Sequence, residues 1–200
     1  MMLEFPRAIS VGVVMPFAIV DQLPQHTDKM VAMAYHSHSY EILNHRLANI
    51  VSLLSSALQR EGYRAFPVRA SQTVNEERLY GLFSHKLAAH LAGLGWIGKS
   101  CLLVTPEVGP RVRWASILTD APLSAGQGLA ERCGECKQCV EACPTEAFTG
   151  RSFQASEPRE ARFDVFKCQA YQRQQQERLG VGVCGMCVYI CPYGRGRKDR

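Results

Sequence analysis

Cys133-Gly134-Glu135-Cys136-Lys137-Gln138-Cys139-Val140-Glu141-Ala142-Cys143-Pro144 places four thiols within eleven positions and decides how the rest of the chain is read. In the spacing Cys-x2-Cys-x2-Cys-x3-Cys-Pro, three neighbouring thiolates hold three corners of one iron–sulfur cube. The fourth, carried away by the Cys-Pro step, ligates a second cluster. The competing ligand is a single Zn2+. Zinc sites usually separate their Cys-x2-Cys knuckles by a dozen or more residues, and four cysteines this close crowd one tetrahedron, so iron–sulfur chemistry is favoured.

Further on, Cys184, Cys187 and Cys191-Pro192 supply the last three cysteines of another such run, with Val181 where its first would stand. Cys168 is the spare cysteine of that half. Cross-ligation then gives Cys133, Cys136, Cys139 and Cys191 to one [4Fe–4S] cluster, and Cys143, Cys168, Cys184 and Cys187 to the other. A three-iron cluster, or a non-cysteine ligand with Cys168 as a core residue, is the alternative. Cys101 falls outside both sets and is expected in the core. Two such clusters side by side pass single electrons, often at about −400 mV or below.

Nine cysteines in 200 residues would mean disulfides in an oxidising compartment and ligands or redox groups in a reducing one. The apolar stretch from Ala8 to Val20 is a poor signal peptide, broken by Gly12 and Pro16 and too short to span a bilayer. A soluble, cytoplasmic protein with no membrane contact is expected. A hydrophobic fraction of 46% with 20% charged residues excludes a disordered chain.

The β-branched run from Ala8 to Met15 predicts a buried strand. Apolar residues three and four apart predict a helix from Glu41 to Arg60, with Ser39 as N-cap and Gly62 as stop. Tyr63 to Val68 reads as a second strand, and Asn75-Glu76-Glu77 as the start of a helix reaching Ala92. Cys101–Thr105 and Arg111–Thr119 read as a hairpin across Pro106–Pro110. The small, polar residues 124–132 mark a linker, so we expect an α/β domain over 1–125 and a small α+β, ferredoxin-like two-cluster domain over 126–200. The Gln/Arg-rich stretch 169–180 reads as an exposed helix or insertion, and the basic run from Arg195 to Arg200 as a frayed tail.

Gly93-Leu94-Gly95-Trp96-Ile97-Gly98-Lys99-Ser100 satisfies the phosphate-loop expression, but a helix precedes it and a strand follows, the reverse of the order that aims helix-terminal amides at phosphates. Taken with Lys86-Leu87-Ala88-Ala89 before it, Ile117-Leu118-Thr119-Asp120-Ala121-Pro122 after it and the cysteine runs, this segment resembles the epoxyqueuosine reductase family. Cys168-Gln169-Ala170-Tyr171 resembles the isolated cysteine that family carries before its last motif.

That resemblance implies a corrinoid such as cobalamin, held between an α/β domain related in reduced form to the nitroreductase fold and the two-cluster domain that reduces its cobalt. Gly95, Trp96, Ile97, Gly98 and Lys99 would lie along the corrin, and a second copy of the chain could close the pocket. The family's Asp-Thr-x-Pro segment has no counterpart, since no aspartate stands between Arg64 and Lys86, and the catalytic proton donor is not identified. Glu76 and Glu77 are the nearest substitutes. Tyr35, Tyr40 and the pair His36 and His38 are lesser candidates beside a cofactor.

Two functions therefore compete. One is a reductase passing electrons to a bound corrinoid or substrate; the other is a stand-alone carrier that serves another enzyme or reactivates its corrinoid. Both need a low-potential electron donor. The formal charge of +5 falls to about +1 once two clusters of about −2 each are counted, which argues against a nucleic-acid partner.

Overall fold

The computed structural model describes residues 4–195, and the fold is mixed α/β. In chain order it runs β1 (Arg7–Val14), α1 (Phe17–Val20), α2 (Lys29–His36), α3 (Leu43–Arg60), β2 (Ala65–Val68), β3 (Thr73–Asn75), β4 (Tyr80–Gly81) and α4 (His85–Leu91). Then follow β5 (Trp96–Ile97), β6 (Leu103–Val104), β7 (Val112–Thr119), α5 (Gln138–Glu141), α6 (Val165–Leu179) and α7 (Met186–Tyr189). The end of the basic tail, residues 196–200, lies outside the described residues.

The main sheet has the order β1-β7-β2, with β7 antiparallel to both neighbours. The two outer strands therefore run parallel to each other, which is why a long helical crossover, α2 and α3, separates them in sequence. Pro67 sits on the edge strand β2, where a missing N–H costs no inner ladder bond. Val13, Ala115 and Ile117 bury one face of the sheet against Leu43, Leu47 and Val51 of α3. Leu179, Val183 and Val188 from the cysteine-rich half join that same cluster, so one core is built from both ends of the chain. Each fully buried side chain of this size is worth about 1.5–3 kcal/mol.

The second strand and the stop at Gly62, where φ is +85°, form as the sequence predicts; the first strand forms where expected but lies on the sheet's edge, with Val13 its one buried residue. Three elements differ. The helix ending at Arg60 starts much earlier: Asp28 caps α2, its Oδ1 accepting from Met30 N at 2.8 Å, and a π turn over Ser37–Ile42 joins α2 to α3. Ser39 lies inside that turn, fully buried, and caps nothing. The helix expected after Asn75 is a hairpin of β3 and β4, because Asn75 Oδ1 accepts from Arg78 N at 2.8 Å and folds the chain back. The helix α4 begins only after Ser84, whose Oγ accepts from Leu87 N. Finally, β6 pairs with β5 rather than β7, since β7 is held on both edges by β1 and β2, and a bridge between Thr105 and Gly109 closes the intervening loop. The Gln/Arg-rich stretch is part of α6, capped by Asp164 and ended by Gly180 in the left-handed region.

Candidate functional site

Two turns in the cysteine-rich half share one shape. In Cys133-Gly134-Glu135-Cys136 and Cys184-Gly185-Met186-Cys187 the glycine after the first cysteine has φ of +51° and +79° respectively, a conformation glycine adopts without steric cost. At Gly185 a side chain would also collide with Leu23, whose Cδ1 lies 2.7 Å from an added Cβ. Each turn leads into a single helical turn, α5 carrying Cys139 and α7 carrying Cys187, and those two helices pack together.

All nine cysteines are free thiols, with Cys101 buried and the other eight half-buried. Burial pushes the Cys139 thiol up to about 11, and Cys191, Cys133 and Cys136 around it add to the rise. Burial likewise raises Cys184 to about 11, with Cys168 and Cys143 as its charged neighbours. Cys168 is raised by burial and by Cys143. Cys187, the most enclosed, is raised by burial and then by Cys184 and Cys168, with Cys139 next. The thiols thus stand in two neighbourhoods of four, which meet between Cys139 and Cys187.

Among the described residues no three His, Cys, Asp or Glu side chains close to single-ion range, as a zinc tetrahedron would require. Eight half-buried thiols in two groups do suit two cubanes, whose loading would release the protons these thiols hold. The second group also has donors aimed at sulfur. Ala147 N lies 3.4 Å from Cys143 Sγ, Thr145 Oγ1 lies 3.5 Å from it, and Gln172 Nε2 lies 3.6 Å from Cys168 Sγ. Such bonds tune a cluster's potential.

The Gly95–Lys99 loop is buried against the first group. A Cβ on Gly95 would lie 2.3 Å from Val104 O, and one on Gly98 would lie 3.4 Å from Cys133 Sγ. Trp96 is 0% exposed, its ring edge-on to Tyr193 at 4.8 Å, and Lys99 Nζ donates to Gly134 O. Of the five residues Ile97 lines the cavity described next.

That cavity, about 780 Å3, lies between β7, the β3–β4 hairpin, α4 and the segment 153–162. Its size is that of a small-molecule site. The walls are partly aromatic, with Tyr80, Phe83, Trp114 and Phe153. Lys86 lines it, donating to Cys101 O at 2.6 Å, and lies near enough to feel Cys187. His85 is held between Ser116 Oγ at 2.9 Å and Arg69 O at 3.0 Å, and burial lowers its pKa, so it is neutral at pH 7.

Glu76 and Glu77 are exposed on the hairpin turn, whereas Glu157 lines the cavity with Oε2 buried and unpartnered. Tyr35 and Tyr40 do not line it. They pack edge to face at 6.1 Å, with Arg113 over the Tyr40 ring at 4.4 Å. His36 stacks on Tyr40 at the start of the π turn, so His36 and His38 share no strand face. Arg113, Glu157, Arg159 and Arg162 escape sequence reasoning because they come from a strand and an irregular segment, with no spacing to link them.

Residues 132–194 match the family described as a 4Fe-4S double cluster binding domain. An epoxyqueuosine reductase from Listeria monocytogenes is 32% identical over 126 residues, covering 58% of this chain and 31% of that protein. Of solved structures, the catabolic reductive dehalogenase NpRdhA in complex with 3-bromo-4-hydroxybenzoic acid superposes with a TM-score of 0.69 at 21% identity, over 96% of this chain and 26% of that one. Epoxyqueuosine reductase with a tRNA stem loop gives 0.58 at 22% identity, over 78% and 40%. The chain thus resembles epoxyqueuosine reductases in sequence and carries a double-cluster domain, and it spans about a third of the length of the curated relatives it matches.

Proposed function

We propose, from a chain that resembles epoxyqueuosine reductases and carries a 4Fe-4S double cluster domain, that it is an iron–sulfur oxidoreductase delivering single electrons to an acceptor seated in the cavity. The observation that carries this reading is shared packing: Leu102 of the cavity wall and Cys187 of the second cysteine group both pack against the same buried core. When bound, the clusters supply low-potential one-electron transfer. In our reading Cys133, Cys136, Cys139 and Cys191 hold one cubane and Cys143, Cys168, Cys184 and Cys187 the other, as the two thiol neighbourhoods support. The sheet with α3 on one face is then a reduced relative of the nitroreductase fold. A reduction also consumes a proton, and Glu157 is the carboxyl that faces the acceptor's seat.

The acceptor is a corrinoid or the substrate itself. Likeness to reductases of this kind supports the first; the burial of Trp96, Gly98 and Lys99 against protein supports the second, since it leaves only Ile97 of the loop to meet a macrocycle. A carrier with no acceptor site of its own is the second reading, and a cavity of about 780 Å3 beside the cysteines counts against it. A nucleic acid is no part of the proposal, given a loaded charge of about +1.

Two measurements test it. Anaerobic reconstitution should load about eight irons per chain, and Cys168→Ser should retain one cluster by EPR while the other is lost or converted. Iron well below eight in the wild type, or equal damage to both clusters in the variant, refutes the ligand assignment. Cobalamin added to the loaded protein should show a perturbed cob(II)alamin spectrum if a corrinoid is the acceptor. A free-cobalamin spectrum at saturating protein assigns the seat to the substrate alone.

A further inference from the structure

The cavity walls carry more positive charge than their own partners neutralise. Lys86, Arg113, Arg159 and Arg162 line it, against the single carboxylate of Glu157, which is already paired with Arg151. Among the described residues, no carboxylate lies within ion-pair distance of Arg113, Arg162 or Lys86, whereas Arg159 has Glu160 at 3.0 Å. Arg162 is 6% exposed, and among the described residues its guanidinium makes one hydrogen bond, a weak one from Nη1 to Cys101 Sγ at 3.9 Å. Arg113 uses Nη2 to donate to Asn44 Oδ1 and Ser71 Oγ. Arg113, Arg159 and Arg162 each also leave Nε buried without a partner. Removing guanidinium groups from water without a counter-charge is costly, and Arg113 and Arg162, the two on this wall with no carboxylate beside them, call for an anion.

We propose that the cavity binds a small oxyanion-bearing ligand, a carboxylate or phosphate on an apolar, ring-sized body, with Arg113 and Arg162 as the anion contacts. Tyr80, Phe83, Trp114 and Phe153 would bury the body, and Arg162, itself lying over the Phe153 ring at 4.7 Å, would join the two halves of the site. Planar guanidinium forks match both anions in bidentate fashion. The inference shares its cavity with the proposed electron acceptor but stands on wall charge, not on electron transfer. The same anion could be borne by a free substrate or by the nucleotide phosphate of a corrinoid.

The test is calorimetric titration of the anaerobic, cluster-loaded protein with benzoate and phenyl phosphate, and with uncharged benzamide as the control. At least one anion should bind at least about ten-fold more tightly than benzamide and quench tryptophan emission, since a hydrogen bond to a charged group is stronger than one to a neutral group. Arg162→Gln and Arg113→Gln should each remove most of that preference while leaving iron content and cluster absorption unchanged. Equal affinity for benzoate, phenyl phosphate and benzamide, or variants that lose cluster yet keep anion binding, overturns the proposal and makes these arginines counterions of the cluster. Competition by cobalamin but not by cobinamide, which lacks the nucleotide phosphate, identifies the corrinoid as the source; an anion that neither displaces identifies a free ligand. Electron delivery is read separately, by reoxidation of the reduced clusters. Its failure with anion binding intact would sink the proposed function and leave the site.

Discussion

At the scale of single residues, the cysteine runs Cys133–Cys143 and Cys184–Cys191 of the double-cluster domain were legible because ligand chemistry forces short, fixed spacings, whereas Cys168 stands in no such spacing. The arginines of the cavity were not, because a wall assembled from Arg113 on β7 and from Arg159 and Arg162 in an irregular segment leaves no periodic trace. Between these extremes stand the donors to sulfur. Gln172, one helical turn after Cys168 on α6, places Nε2 3.6 Å from Cys168 Sγ. An N–H donor stabilises the more negatively charged reduced cluster, so Gln172→Leu should lower the potential of one cluster and leave the other in place. Anaerobic potentiometry followed by EPR resolves the two. A shift shared equally by both clusters, or none, would remove Gln172 from the tuning of the Cys168 cluster.

At the scale of elements, the sequence was read correctly where one force dominated. The β-branched run became β1, and Gly62 ended α3 in a left-handed turn. It misled where one residue type serves two structures. Asn75 suits a helix start as well as a turn, and its side chain chose the turn, leaving α4 to begin at Ser84. The strand-like segment from Cys101 could pair with either neighbour, and only the occupied edges of β7 decide for β5. That late start sets Lys86 in the first turn of α4, beneath the cavity. Burial lowers its pKa, and Arg162 and Arg159 lower it further, outweighing the pull of Cys101. The unfolded chain therefore binds the extra proton over the interval between the folded and the ordinary lysine value. Stability contributed by Lys86 should rise with pH across that interval, be complete above the ordinary lysine value and be lost as pH falls through the folded one. Urea denaturation from pH 7 to 10.5 should show that slope in the wild type and a flatter one in Lys86→Met. Parallel slopes in the two proteins would mean that Lys86 titrates as it does in water.

At the scale of the whole molecule, the composition shift near residue 125 marks a domain boundary, and across it Leu179, Val183 and Val188 are buried in the same cluster as Val13, Leu47 and Ile117. The loop at Gly109 also meets the end of the described chain, where a Cβ would lie 2.4 Å from Gly194 N. Contacts of this kind couple the halves energetically, because neither can expose its share of the core without the other losing partners. Cluster binding is linked to folding wherever the ligand set is assembled only in the native state, so its free energy stabilises everything that unfolds together with that set. We therefore expect the loaded protein to unfold in one cooperative transition, and chelation of its iron to lower the midpoint of that single transition for signals from both halves. Far-ultraviolet circular dichroism reports the sheet and helices together. Tryptophan emission reports Trp96 on β5 and Trp114 on β7, while visible absorption reports the clusters. Coincident midpoints for all three in the loaded protein, with the circular dichroism and tryptophan midpoints moving down together after chelation, are the expected outcome. A tryptophan transition that stays at its original temperature while the cluster signal is lost would show that the β-strands carrying Trp96 and Trp114 fold without the cysteine-rich half, and that the shared core is a contact between two domains.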